Sequence, residues 1–162
     1  MAEVVMKPIG VIRTPFRETG GMPIQPGGAG GKGGDVEVKP EFCEGLKDLD
    51  GFSHIILIYH LHLSEGYSLR VKPFLDDTIR GLFSTRAPRR PNPIGLSIVE
   101  LERVEGCTMH VRGIDVIDGT PLLDIKPFVP DFDSPDVTRL GWLARRVEKL
   151  REIRSDDRFG SK

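Results

Sequence analysis

The chain has 162 residues, a length that holds one domain of ordinary size. Hydrophobic residues make up 38% and charged residues 29%, which excludes both a disordered charged tail and a membrane-embedded chain. With 23 Lys and Arg against 24 Asp and Glu the net charge is −1, so any polyanion-binding surface has to come from local clustering.

The 19 glycines and 13 prolines fall short of low-complexity composition and point to a turn-rich fold. Cys43 and Cys107 stand alone without CxxC spacing, which argues against a disulfide framework or a zinc ribbon and fits a reducing compartment. The start lacks a charged segment followed by an apolar one, and the longest aliphatic run is Ile55 to Ile58. Neither a signal peptide nor a membrane span is expected.

In chain order, Val4 to Arg13 reads as a first strand with Val5, Ile9 and Val11 in one phase, Pro8 marking an edge or bulge. Gly20 to Gly34 carries eight glycines in fifteen residues and reads as a long mobile loop. Asp35 to Lys39 alternates as a short strand, and Phe42, Leu46 and Leu49 recur at helical spacing after Pro40. Phe52 to His62 is the strongest strand signal; Leu69 to Leu75 and Gly81 to Thr85 are weaker ones. Leu96 to Val104 and Thr108 to Gly113 predict a hairpin around Glu105-Gly106, and Ile114 to Phe128 a second one turning at Asp118-Gly119. Six to eight short strands without βαβ alternation predict a mainly β, barrel-like body. Ser134-Pro135-Asp136 then reads as the start of an amphipathic helix carrying Leu140, Leu143, Val147 and Leu150 to about Arg154. The expected division is a barrel over residues 1–133 and a helix and tail over 134–162.

Four features carry candidate chemistry. Gly28 to Gly33 formally matches a dinucleotide fingerprint, but a loop precedes it and a strand follows it, and Gly33 stands where a Walker loop needs a hydroxyl. It is a surface loop or a lid over a ligand. His54, His60 and His62 share one phase of the central strand; without a further ligand at metal spacing they read as pocket-lining or hydrogen-bonded side chains, and no metal is expected. Between two strands, Arg86, Arg89 and Arg90 are interleaved with Pro88, Pro91 and Pro93, which stiffen the loop and preorganise its cations for an anion or nucleotide, unless the loop is purely architectural. Asp115, Asp118 and Asp124 surround Gly119-Thr120-Pro121, where Asp-Gly is first a turn signal.

The segments GVIRTPF (Gly10 to Phe16), QPG (Gln25 to Gly27), FSH (Phe52 to His54), Thr85-Arg86, RPNPIGLS (Arg90 to Ser97) and DGTPLLDIKPF (Asp118 to Phe128) occur in one order over roughly residues 7–131. In these blocks the chain resembles the TsaA-like, or TrmO, family. The resemblance implies a single β-barrel domain that uses S-adenosyl-L-methionine to methylate N6 of threonylcarbamoyladenosine next to the anticodon of tRNA, in a cytoplasmic homodimer with no membrane or metal partner. It also implies a cofactor pocket lined by Pro26, Gly27, Gly28, His62, Leu63, Arg86, Leu96, Asp115, Ile117, Asp118, Gly119 and Thr120.

The nitrogen to be methylated carries a proton and a delocalised lone pair, so a general base should help. Asp118, Asp115 or His62 is the expected catalytic group, since arginine stays protonated. Arg86 is expected on the methionine carboxylate or the substrate, and Arg89, Arg90, Arg145, Arg146 and Lys149 on tRNA phosphates. Family members commonly carry Ser and an aromatic where this chain has Ala87 and Arg89, and often a further C-terminal domain, which bears on how tRNA is held. The competing readings are a methyltransferase of the same barrel acting on another RNA or a small molecule, and a nucleotide- or RNA-binding module without turnover.

Overall fold

Eight strands organise the chain: β1 (Gly10–Arg13), β2 (Gly33–Val38), β3 (His54–His60), β4 (Arg70–Val71), β5 (Arg80–Gly81), β6 (Ile94–Glu105), β7 (Thr108–Arg112) and β8 (Thr120–Pro127). The computed structural model describes residues 2–17, 31–74 and 76–144. Six strands close into an antiparallel barrel in the order β1-β2-β7-β6-β3-β8, with β8 pairing back onto β1. β4 and β5 form a separate two-stranded ribbon. The mainly β, barrel-like expectation is met.

Inward positions alternate along each strand, as a sheet with one buried face requires. Ile12, Val36, Ile55, Leu57, Val99, Met109, Val111 and Leu122 are buried in one cluster. Each such side chain contributes on the order of 1.5–3 kcal/mol through removal of apolar surface from water. Register shifts between Leu101 and Arg103 of β6, and between Ile58 and Tyr59 where β3 meets β8, bend the strands so that a six-stranded sheet can close.

The β6–β7 hairpin turns at Glu105 and Gly106 as expected, with Gly106 at φ 59°. Other expectations are corrected. β1 begins only at Gly10, and its inward residues are Gly10 and Ile12, the phase opposite to Val5, Ile9 and Val11; Val5 is exposed, while Ile9, just before the strand, packs against the core. The reason is register: β1 pairs on both sides, and Gly10 lies against the β2 backbone, where a Cβ would stand 2.2 Å from the Glu37 carbonyl oxygen. The glycine-rich segment does not run to Gly34, because Gly33 and Gly34 are the first residues of β2; a Cβ on Gly34 would meet the Arg13 carbonyl oxygen at 2.8 Å. Residues 18–30 of that segment lie outside the described residues.

The helical spacing of Phe42, Leu46 and Leu49 resolves into two 3-10 turns, Pro40–Leu46 and Leu49–Gly51, which bury Leu46 and Leu49. The second expected hairpin does not form. Residues 114–117 are not a strand; Ile114 and Val116 insert into the barrel core, and Asp118 N–H and Gly119 N–H donate to the carbonyls of Phe16 (2.7 Å) and Ile12 (2.9 Å). β8 instead pairs with β1 and β3. No helix starts at Ser134: a short α-helix, α1 (Pro130–Asp133), ends there, and a 3-10 turn (Gly141–Leu143) follows a stretch without regular structure. The rest of the expected helix, with Val147, Leu150 and Arg154, lies outside the described residues.

The two cysteines are also corrected. Cys43 and Cys107 form a disulfide, with Cα atoms 5.0 Å apart, that ties the first 3-10 turn to the β6–β7 turn. Spacing along the chain could not reveal it, because the partners are 64 residues apart and meet only when β2 docks on β7. A cross-link over such a ring removes loop entropy worth about 4 kcal/mol from the unfolded chain. Cys43→Ser is therefore expected to lower the unfolding free energy by about that amount. Denaturant titration checks it: reductant should bring the wild-type chain down to the variant's midpoint and leave the variant where it is.

Candidate functional site

Three strands meet around one residue. Tyr59, near the end of β3, lies opposite Gly95 of β6 on one side and Leu122 of β8 on the other. The start of β6 brings the Arg-Pro loop with it, through the Leu61 N–H donating to the Pro93 carbonyl at 2.8 Å. The start of β8 brings the Asp118-Gly119-Thr120 turn. Arg86, Asp115, the His62 segment and that turn, spread over the sequence, thus gather at one end of the barrel.

The core there is polar. Tyr59 Oη lies 2.8 Å from Ser97 Oγ, and Ser97 donates to Asp115 Oδ1 at 2.5 Å. Burial pushes the Asp115 carboxyl up from 3.8 to about 6, while the Ser97 hydroxyl, its own backbone N–H and the nearby Arg86 guanidinium pull it partly back. Tyr59 is raised far above its ordinary value, first by burial and then by the Asp115 charge. A carboxyl held near neutrality by burial is the arrangement expected of a group that exchanges protons with a ligand.

The other two expected bases differ from it. Asp118 Oδ1 accepts the Thr14 N–H at 3.1 Å, and its own N–H bonds Phe16, so it fastens the β1 exit to the turn before β8. His62 is half-buried and lowered from 6.5, first by burial and then by His60, so it is neutral at pH 7. His62 does not share the strand phase of His54 and His60: β3 ends at His60, and the His62 N–H turns back onto the His60 carbonyl at 2.8 Å.

Of the remaining expected lining residues, Gly119 sits at φ 79°, and Thr120 is buried with Oγ1 donating to the Ile117 carbonyl at 2.7 Å. Leu63 and Arg86 are exposed, and Ile117 is half-buried. Leu96 points to the outside of the barrel, opposite in phase to Ser97, so only its backbone adjoins the Asp115 side. Arg90 is held inside its own loop: Nη1 donates to the carbonyls of Thr85 (3.0 Å) and Ala87 (3.2 Å), and the guanidinium lies 5.7 Å from the Phe83 ring centre. Pro26, Gly27, Gly28, Arg145, Arg146 and Lys149 lie outside the described residues.

Sequence reading missed Tyr59, Ser97 and Trp142. Tyr59 and Ser97 were legible only as members of the predicted strands over 52–62 and 96–104. Trp142 donates Nε1–H to the Ser84 carbonyl at 2.8 Å and stacks under Arg80, which docks the chain after α1 onto the segment that leads into the Arg-Pro loop. Away from these residues, a surface hollow of about 390 Å³ is lined by Arg13, Thr14, Glu102, Arg103 and His110 among others. Its arginines are paired, Arg13 with Glu37 and Arg103 with Glu105, and it contains none of the expected site residues.

The family model for the tRNA-methyltransferase O N-terminal domain matches residues 11–134. The chain belongs to the TrmO family. A probable S-adenosyl-L-methionine-binding protein of Pyrococcus abyssi is 51% identical over 98% of this chain and 86% of its own length. The mouse tRNA (adenine(37)-N6)-methyltransferase is 37% identical over 82% of this chain. The crystal structure of TrmO from Pseudomonas aeruginosa superposes with a TM-score of 0.73 at 38% identity, covering 87% of this chain. The chain spans 63% of that Pseudomonas chain and 32% of the mouse protein.

The Asp115 environment sets a pH dependence of folding. Between 3.8, the value of an ordinary Asp side chain, and about 6, the native state holds a proton that the unfolded chain has lost. Stability therefore falls as pH rises through that window, by on the order of 3 kcal/mol, and this contribution levels off above it. Asp115→Asn is expected to remove that slope, which unfolding titrations at pH 4, 5, 6 and 7 would show.

Proposed function

We propose that the chain is an S-adenosyl-L-methionine-dependent methyltransferase acting on N6 of an adenine beside the anticodon of tRNA, with threonylcarbamoyladenosine as the modified base. Membership of the TrmO family supports the reaction class, and the names of its relatives support the cofactor and the tRNA. The observation that carries the reading is the Asp115 carboxyl, held near neutrality beside Arg86 where β3, β6 and β8 converge.

The residues at this end suit the cofactor chemically. Arg86 is an exposed cation for a carboxylate, Leu63 offers an exposed apolar surface, and the Asp118-Gly119-Thr120 turn brings backbone close, with Gly119 in a conformation that glycine favours. When bound, the cofactor supplies an electrophilic methyl group on a sulfonium. The protein's task is to hold the attacking nitrogen in line and to take its proton.

Asp115 takes that proton, Asp118 holds the turn, and neutral His62 with Leu63 and the backbone of Leu96 borders the pocket, joined by Pro26, Gly27, Gly28, Ile117 and Thr120. Arg89, the donors of Arg90 not spent on its loop, Arg145, Arg146 and Lys149 meet tRNA phosphates. A tRNA partner supports a cytoplasmic placement. The Cys43–Cys107 disulfide bears on that placement, because intracellular disulfides persist chiefly in proteins of hyperthermophiles.

Purified protein incubated with tRNA and cofactor should yield N6-methylated threonylcarbamoyladenosine, detected by mass spectrometry of the digested nucleosides. Arg86→Ala should weaken cofactor binding in a calorimetric titration by about 10- to 100-fold, the worth of a charge-assisted hydrogen bond. Cofactor binding without methylated nucleoside would shift the reading to another substrate, and no cofactor binding would sink it.

The outer face of β3 and β6 supports a homodimer. Ile56 and Ile58 of β3 lie opposite Ile98 and Leu96 of β6 on the outside of the barrel, and Ile94 extends the row. The ion pair Lys126–Asp124 at 2.8 Å borders it on β8. Such a continuous apolar row on a sheet face fits a second copy related by a twofold axis. Sedimentation should give a dimer for the wild type and a monomer for Ile98→Glu; a wild type that is monomeric at micromolar concentration would exclude it.

A further inference from the structure

Two buried hydroxyls, of Tyr59 and Ser97, stand beside Asp115 in the candidate site. Tyr59 projects inward from β3 and faces Gly95, and its ring lies across the β6 backbone: a Cβ on residue 95 would stand 2.1 Å from a ring carbon. Only glycine at that position lets the phenol pass over β6 and reach Ser97, two residues farther along the same inward face. Ser97, 1% exposed, continues the chain to Asp115. A buried tyrosine, a buried serine and a carboxyl, contributed by two strands and a loop, are thus connected end to end.

With Asp115 ionised, Ser97 gives its one proton to Asp115 Oδ1, so Tyr59 is then the donor toward Ser97. Burial keeps Tyr59 protonated far above any working pH, so the chain cannot run in the opposite sense from an ionised phenol. Among the described residues, Arg86 is the other charged group felt at Asp115 and Tyr59, and it acts from the loop before β6.

We propose that Tyr59 and Ser97 are positioning residues for Asp115. The chain Tyr59–Ser97–Asp115 holds Oδ1 as acceptor, stabilises the carboxylate form that a general base needs, and leaves Oδ2 as the oxygen that Ser97 does not engage, to receive the substrate proton. In the step itself the N6–H proton passes to Asp115 as the N–C bond forms and the C–S bond breaks, leaving a neutral thioether; Tyr59 and Ser97 keep their own protons. The inference rests on Asp115 being the base, and it adds a role for the glycine and the serine of the PIGLS segment, Pro93 to Ser97.

The test is a carbon-NMR titration of the Asp115 carboxyl in the full chain, with the resonance assigned by its absence in Asp115→Asn. This needs neither cofactor nor tRNA. The midpoint should lie near 6 in the wild type. It should rise by about one pH unit in Ser97→Ala, since a lost hydrogen bond to a charged group is worth that much or more. Tyr59→Phe should move it less in the same direction, and Ser97→Thr should restore it.

Ser97→Ala leaves the Tyr59 hydroxyl buried without its acceptor, so the double variant Tyr59→Phe/Ser97→Ala, which removes both hydroxyls, should give the upward shift in a better-folded chain. The acid limb of single-turnover methylation against pH should follow the same midpoints. If the Asp115 midpoint in Ser97→Ala and in the double variant matches the wild type, the positioning role is overturned whatever the activity. If the midpoints move as expected but Asp115→Asn methylates at the wild-type rate, it is the reading of Asp115 as base that fails, and the role of the two hydroxyls in the reaction goes with it.

Discussion

Closure of the sheet rests on four residues. β1 pairs with β2 along one edge and with β8 along the other, and without the second pairing β8 would be a free edge. A closed barrel abolishes edges and fixes which strand ends lie together. Because β8 is held between β1 and β3, the Asp118-Gly119-Thr120 turn is placed beside the β3 end, and Gly119 is bonded directly to Ile12 of β1. The close approach of β1 to β2 needs Gly10 and Gly34, where a Cβ would meet backbone carbonyl oxygens. The site is thus a consequence of barrel closure and of the two glycines that permit it.

A polar chain inside such a core has a cost that a purely apolar core avoids. Tyr59, Ser97 and Asp115 are taken largely out of water, and only mutual hydrogen bonding makes this tolerable. An apolar trio would pack with fewer conditions on geometry. That the chain spends polar groups here, beside Arg86, and keeps an acid raised towards neutrality is what the proposed proton transfer would need.

The surroundings are stiffened in compensation. Arg90 braces its own proline-rich loop against the Thr85 and Ala87 carbonyls and the Phe83 ring, and Trp142 fastens the segment after α1 to Ser84. The loop that bears Arg86 is therefore held from within and from behind, so its backbone has little freedom to lose in the proposed binding of a ligand. The disulfide strengthens another part of the barrel, at the β6–β7 turn.

Much of this was legible in the residues alone. The β-branched, aromatic-rich run from Phe52 to His62 declared a strand, and Glu105-Gly106 declared a hairpin, because strand propensity and turn chemistry are local properties; which face of that strand is buried came only from the fold. The RPNPIGLS and DGTPLLDIKPF blocks sufficed to mark the family and the loops worth attention. What remained undetermined depended on pairing at a distance. Nothing near Cys43 indicates Cys107, and nothing near Ile114 says that it will fill the barrel core rather than continue a hairpin. The three carboxylate and histidine candidates were equivalent as residue types; only the barrel separated them, by burying Asp115 against Ser97, tying Asp118 to Thr14 and leaving His62 at a turn. Local sequence determines which segments are strands and turns, whereas desolvation and hydrogen-bond partners, which decide what an ionisable group can do, come from parts of the chain that meet only in the closed fold.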